Sequence, residues 1–384
     1  MEGNMLANFD SIREQNMIAL KEVKEKGAKV VGFYCTYGPQ ELAVAAGAIC
    51  VGLCGTKEDP IPAAEQDLPR NLCPLIKSSY GFAVSDTCPF FHFSDLVIGE
   101  TTCDGKKKMF ELMAKIKPTY VMQLPQTQEG EASLALMYAE MKKVKEEMEK
   151  HLGVTITDEA IGEAIALLNE ERRTLKEFFD LNQAKPAVIT GMDLLKVSWQ
   201  LGFHANRKER TVLLRRLIDD LKAKAAEGYH VGDESTPRIL LTGTPTGLGS
   251  EKVIRLVEEC GGLVVSIENC TGYKTLNQYI DENDPRDKLL LLAERYLKIP
   301  CSVMTPNTGR LELLERMIKE FQVDGVIDLT WQACHTYNIE STTVGQLVKD
   351  KLGLPFLHLE TDYSQSDVET LRVRINAFLE MIQE

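Results

Sequence analysis

Short apolar runs that end at a cysteine and hand over to a helix recur in both halves of this 384-residue chain, and that recurrence restricts the fold more than any other feature. Ser94-Asp95-Leu96-Val97-Ile98-Gly99 leads through Glu100-Thr101-Thr102 to Cys103; the helical stretch KKKMFELMAKI and a further run at Tyr120–Leu124 follow. Asp324-Gly325-Val326-Ile327-Asp328-Leu329 leads through Thr330-Trp331-Gln332-Ala333 to Cys334, and a helix and the run Pro355–Leu359 follow. Continuous apolar runs separated by helical stretches predict parallel strands buried on both faces. The same reading gives strands at Val30–Tyr34 and Ala48–Leu53 around the helix PQELAVAAGA, in which Pro39 suits the first turn. It also gives strands at Ile239–Thr242 and Leu263–Ile267 around a helix over Ser250–Cys260, and an amphipathic helix over residues 8–26. The expected fold class is α/β, with two doubly wound parallel-sheet domains related by an internal duplication.

Residues 131–228 differ: three long charged stretches with helical period, then the polar, turn-rich segment Tyr229–Pro237. The length exceeds one ordinary core. The expected division is an N-terminal α/β domain over 1–130, a helical block and linker over 131–236, and a C-terminal α/β domain over 237–384.

A net charge of −13 without a basic cluster argues against a nucleic-acid partner. No window of eighteen apolar residues is present, so no membrane span is expected. The start, MEGNMLANFDSIREQNMIAL, lacks the features of a secretory signal. A cytoplasmic location follows as an expectation, and in a reducing compartment the ten cysteines are not a disulfide framework.

Six of those cysteines stand where strands run out or in loops beside a proline. They are Cys35, Cys73 and Cys103, spaced by 38 and 30 residues, and Cys270, Cys301 and Cys334, spaced by 31 and 33. Ligands of open α/β sheets gather beyond the carboxyl ends of the strands. Soft thiolates converging there suit a polynuclear iron–sulfur centre in a cleft between the two domains. No CxxC is present, which disfavours structural zinc and thioredoxin-like redox chemistry. Cys50 and Cys260 read as core thiols, Cys88 as structural, and Cys54 is open between core and ligand. Gly243–Gly249 reads as a tight turn at the cleft, since it matches neither GxGxxG nor GK[ST]. Lys106-Lys107-Lys108 reads as a solvated helix face. His92 and His335 flank the expected site, and His335, Glu41 and Glu100 are the candidates for moving protons there. Asp362-Tyr363-Ser364 follows the last strand and is a further candidate for the cleft wall.

The segments FYCTYGPQELAVAAGA, LPRNLCPLIKSSYGF, FSDLVIGETTCDGKKKM and LTWQACHTYNIES resemble the 2-hydroxyacyl-CoA dehydratase and benzoyl-CoA reductase superfamily, in particular its D-component-like subunits and their double-cubane cluster branch. The resemblance spans essentially the whole chain. It implies two flavodoxin-like domains with a cluster between them. It also implies a [4Fe–4S] cluster on Cys73, Cys103 and Cys334, or a double-cubane [8Fe-9S] cluster that needs three further thiols. Symmetry suggests Cys35, Cys270 and Cys301 for these, with Cys88 or Cys54 as substitutes. The implied partner is an ATP-hydrolysing iron–sulfur activator, and the double-cubane type implies a homodimer. The expected activity is reduction of a small molecule. The alternatives are a 2-hydroxyacyl-CoA dehydratase subunit with one [4Fe–4S] cluster and a non-enzymatic electron carrier.

Overall fold

The computed structural model describes residue 6 and residues 9–383. Two four-stranded sheets, parallel throughout, carry the fold. The first contains β1 (Val30–Phe33), β2 (Ile49–Gly52), β3 (Leu96–Glu100) and β4 (Thr119–Met122) in the order β2-β1-β3-β4. The second contains β5 (Arg238–Gly243), β6 (Leu263–Glu268), β7 (Gly325–Trp331) and β8 (Phe356–Thr361) in the order β6-β5-β7-β8. The two orders are the same permutation, so the duplication inferred from the cysteine-ending strands is one of topology. Both sheets are flavodoxin-like, with the strand order reversing between the first and third strand of each.

The duplication is visible in a detail as well. Asp95, just before β3, accepts a hydrogen bond from the N–H of Val30 at 2.8 Å, and Asp324, just before β7, accepts one from the N–H of Arg238 at 2.9 Å. The acidic residue that opens each repeat thus ties the starts of two neighbouring strands together. The central strands β1, β3, β5 and β7 are buried at every residue, as helices on both faces require.

Between the sheets lie the helices Glu131–Leu152, Asp158–Asp180, Gly191–Leu201 and Arg207–Ala226. Side-chain caps start three of them: Thr157 accepts from the N–H of Ala160, Thr190 from Asp193 and Asn206 from Glu209. The helix Lys288–Leu297, though late in sequence, packs on Glu131–Leu152, so the second half of the chain contributes a helix to the first sheet's layer. Tyr138 Oη donates to Asp287 at 2.6 Å and Asn169 Nδ2 to the Ile280 carbonyl at 2.8 Å across that seam. The helix expected over 8–26 runs Ile12–Glu25; residue 8 lies outside the described residues. No helix among the described residues is long and apolar enough to cross a membrane.

Candidate functional site

The carboxyl ends of both sheets face one cavity of about 840 Å³. All six of Cys35, Cys73, Cys103, Cys270, Cys301 and Cys334 line it, as do Cys50 and Cys54. Cys35 follows β1, Cys54 follows β2, Cys103 follows β3, Cys270 follows β6 and Cys334 follows β7. Cys88 and Cys260 do not line the cavity. Cys88 precedes the short helix Pro89–Phe93 rather than a strand, and Cys260 ends the helix Lys252–Glu259. All ten cysteines are free thiols.

By their effect on one another the thiols fall into two groups. Burial raises the Cys334 thiol, and Cys73 and Cys103 add to the rise; burial pushes Cys73 up to about 11, with Cys103 again adding. Burial raises Cys35, and Cys270 and Cys301 add to that; burial pushes Cys270 up to about 11, with Cys301 contributing. The first group shares a structural signature. Cys73 is the residue before the helix Pro74–Val84, Cys103 before Asp104–Met113, and Cys334 before His335–Gln346. The Cys103 sulfur accepts from the N–H of Lys106 at 3.4 Å, and the N–H groups of Ile76 and Tyr337 favour the ionised forms of Cys73 and Cys334. Helix amino termini favour thiolate over thiol. Cys73 is thus a helix-cap residue, not the plain loop residue expected from its proline.

Two buried lysines stand among the thiols, Lys106 acting most on Cys35 and Cys54 and less on Cys103, and Lys274 acting on Cys270 and Cys301. Lys106 is 7% exposed and its Nζ donates to the Tyr34 carbonyl at 2.9 Å. Burial alone would lower its pKa, but Cys35, Cys54, Glu100 and Cys103 offset that and the value is raised. Lys274 is fully buried; Glu268, Cys270 and Cys301 raise it against the same opposing effect of burial. Lys107 and Lys108 alone fulfil the expectation of a solvated face, pairing with Asp104 and Glu111. Lys106 was missed because it belongs to a charge run. Its spacing from Met109, Phe110 and Met113, all buried, is the signal that places it on the inner face.

The acid–base candidates separate. His335 lines the cavity at its exposed rim. Glu100 is fully buried, and neither carboxyl oxygen has a hydrogen-bond partner among the described residues. Burial raises it to about 7, against the pull of Lys106. Its carboxyl lies behind Gly38, where an added Cβ would come within 3.0 Å of Oε1. Glu41 does not reach the cavity. It pairs with Arg172 and accepts from Tyr296 Oη at 2.6 Å. Burial would raise it, but Arg172, Arg295 and Tyr296 hold it down at about 2, so it is a fixed counter-ion rather than a proton carrier. His92 also sits outside the cavity, exposed and paired with Asp86 at 2.9 Å. Tyr363 is buried behind the wall, donating to the Gly55 carbonyl at 3.0 Å. Thr244, Pro245 and Thr246 of the turn after β5 do line it, as expected of that turn.

Among the described residues no three His, Cys, Asp or Glu side chains converge on a point suited to one metal ion. The donor set fits a polynuclear centre instead. It is all sulfur, it is split into two triads, and two buried cations, Lys106 and Lys274, stand among the thiols to balance thiolate charge. In a cubane each thiolate binds a different iron, so the sulfurs stand further apart than around a single ion.

Residues 35–382 match the family model for the 2-hydroxyglutaryl-CoA dehydratase D-component. The chain is 47% identical over 376 residues, 97% of each chain, to YjiM of Escherichia coli (strain K12), provisionally named a dehydratase subunit. It is 27% identical over 385 residues, 97% of each chain, to the (R)-phenyllactyl-CoA dehydratase beta subunit of Clostridium sporogenes. It is also 18% identical over 389 residues to one of the benzoyl-CoA reductase subunits of Thauera aromatica, covering 99% of this chain and 98% of the other. The chain therefore belongs to the 2-hydroxyglutaryl-CoA dehydratase D-component family, within the superfamily of 2-hydroxyacyl-CoA dehydratase and benzoyl-CoA reductase subunits.

Proposed function

We propose that the chain is an iron–sulfur reductase that receives low-potential electrons from an ATP-hydrolysing activator and reduces a small molecule in the cavity. In this reading Cys73, Cys103 and Cys334 hold one half of a double-cubane [8Fe-9S] cluster, and Cys35, Cys270 and Cys301 hold the other. The observation that carries it is the sharing of one cavity by six thiols drawn from both sheets, with the two buried lysines Lys106 and Lys274 among them. When bound, such a cluster supplies one-electron reduction at low potential, and the protein tunes it through burial, charge and hydrogen bonds.

The chain's own residues have distinct work in this scheme. Lys106 and Lys274 balance the charge of the thiolates. Glu100 holds or releases a proton behind Gly38, at a value near neutrality. His335 exchanges protons with solvent at the rim. The sequence has no GK[ST] motif, in keeping with ATP hydrolysis on a separate partner. A cytoplasmic location and a homodimer complete the proposal, and the ten free thiols are in keeping with a reducing compartment.

A second reading is a dehydratase subunit with one [4Fe–4S] cluster on Cys73, Cys103 and Cys334. Two observations favour it: of the six proposed ligands these three start helices and the other three do not, and several relatives are named as dehydratase beta subunits. Iron and acid-labile sulfide per chain, measured after purification without air, decide between them. About eight irons support the double-cubane reading and about four the dehydratase reading, while none after reconstitution refutes both. Reduction by an activator without turnover of any substrate would leave an electron carrier.

A further inference from the structure

The cavity has a second end, away from the six proposed ligands, where the helical block supplies its wall and the Cys50 thiol lies beside Arg207. Arg172, Arg207, Arg210 and Arg295 all line it there. Only two carboxylates answer these four guanidiniums. Glu41 pairs with Arg172, and Glu171 accepts from both Arg207, at 2.6 Å, and Arg210, at 3.0 Å through its Nε. Among the described residues Arg295 has no carboxylate within ion-pair distance, although the Glu41 charge is felt there; it donates to the carbonyls of Gln278 and Thr275, at 3.2 and 3.5 Å. Its Nη1 is buried with no hydrogen-bond partner among the described residues, and the residue is 5% exposed. Burial, and then the Arg172 guanidinium, bring its pKa down to about 10.

Two positive charges are thus left over, one on the buried Arg295 and one within the partly buried pair Arg207 and Arg210. They are not needed for thiolate charge, because Lys106 and Lys274 sit at that end. An excess of buried cations is costly unless an anion completes the site. Guanidinium forks match carboxylates in a planar, two-point fashion. Leu175, Trp199 and Leu276 line the same region and would cover a short carbon chain.

We propose that this arginine end binds a carboxylate group of the substrate, so that the molecule processed in the cavity is a small mono- or dicarboxylic acid or an acyl compound with a free carboxylate. The inference rests on the reading of this cavity as a substrate site and names the class of molecule that enters it.

The test is isothermal titration of the full chain, purified without air and with its iron counted, against succinate, its uncharged diamide succinamide, and inorganic phosphate. Succinate binds saturably and succinamide does not. Arg295→Gln weakens succinate at least roughly tenfold, and Arg295→Lys recovers part of the loss. Equal binding of succinamide, no succinate binding up to about 10 mM, or an unchanged R295Q variant would overturn the proposal. Phosphate binding without succinate binding would also overturn it, assigning the arginines to a phosphoryl group. The wild-type contrast between succinate and succinamide decides the matter even if R295Q does not fold. Chain that takes up no iron on reconstitution but still binds succinate would remove the iron–sulfur reading and leave the carboxylate site standing.

Discussion

Arg310 offers the sharpest test of what holds the second sheet's cavity end together. It lies on the helix Thr308–Glu320 and is fully buried. Its Nε stands 3.3 Å from Glu268 at the end of β6, its Nη2 donates to Thr242 on β5 at 2.8 Å and stands 3.9 Å from Asp328 on β7, and Nη1 pairs with Glu340. One guanidinium therefore joins three strands and a helix. Arg310→Met keeps most of the volume, so the cavity penalty is small and the charge effect dominates. The variant leaves Glu268 with only Lys274, at 3.4 Å, and leaves Asp328 without its cation. Burial already raises Asp328, and Arg310 is the main group pulling it back. Removing one partner from a buried ion-pair network costs about 3–5 kcal/mol. For a domain of this size that corresponds to a fall of roughly 10 °C in Tm. The assay is thermal unfolding followed by far-ultraviolet circular dichroism and calorimetry. The double variant R310M/D328N removes the stranded Asp328 charge along with its partner and should recover at least half of the loss. A fall below about 1 kcal/mol in R310M, or a double variant no better than R310M alone, would refute the reasoning.

Four further outcomes follow from the same structure. Cys35→Ser should lose iron while Cys54→Ser keeps it, because the Cys54 sulfur donates to the Tyr34 carbonyl at 2.7 Å whereas Cys35 faces Cys270 and Cys301; the reverse result exchanges the two ligands. Lys106→Met should lower the midpoint potential of the centre by on the order of 50 mV, about 1 kcal/mol for one electron, read by an EPR-monitored redox titration; an unchanged potential would remove its charge-balancing role. Glu258 is raised by burial from 4.5 to about 7, with the N–H of Gly191 opposing. The folded state therefore holds a proton that the unfolded chain releases, and stability falls as pH rises from about 4.5 to 7. Glu258→Gln should flatten that fall and raise Tm at pH 8, by at most about 3 kcal/mol in stability, and a parallel pair of Tm–pH curves would contradict this. Gly243→Ala should destabilise by about 3 kcal/mol, because φ is +108° and the new Cβ would sit 2.1 Å from the Leu329 carbonyl oxygen; an unchanged urea midpoint would show that the turn after β5 relaxes freely.

The fold was legible where burial leaves a one-dimensional trace. Strands buried on both faces have to be apolar throughout, so Val30–Phe33, Leu96–Glu100 and Leu263–Glu268 stand out as runs. The thiols were legible because few residue types compete for their role at a strand end. Charged residues left a poorer trace. Lys106 and Arg310 look like surface residues in the sequence, and only the spacing of apolar neighbours hints that they turn inward. The four arginines of the cavity were not legible at all. Arg172, Arg207 and Arg210 belong to helices on which, Glu171 apart, the other charges are at least partly exposed, and Arg295 comes from a helix that crosses to the first sheet's layer. What brings them together is tertiary packing, which no local pattern encodes.

The spacing of the cysteines suggested that the two halves place them alike, and the topology shows a subtler relation. Cys103 and Cys334 follow the equivalent central strands β3 and β7, and Cys73 and Cys301 lie in the equivalent connections before them. The partner of Cys270 after β6 is not Cys35 but Cys54, after β2. Cys35 follows β1, and the matching position after β5 is the turn beginning at Thr244. The duplication therefore supplies symmetric thiols, but the proposed ligand set departs from symmetry at one strand end. That departure separates the two triads in character: one begins three helices, while the other sits in loops with Cys35 near Lys106 and Cys270 near Lys274. It also leaves the loop after β1 free to run from Cys35 through Gly38 into Gln40, whose side chain meets Arg207. A single short loop thus joins the thiol end of the cavity to its arginine end.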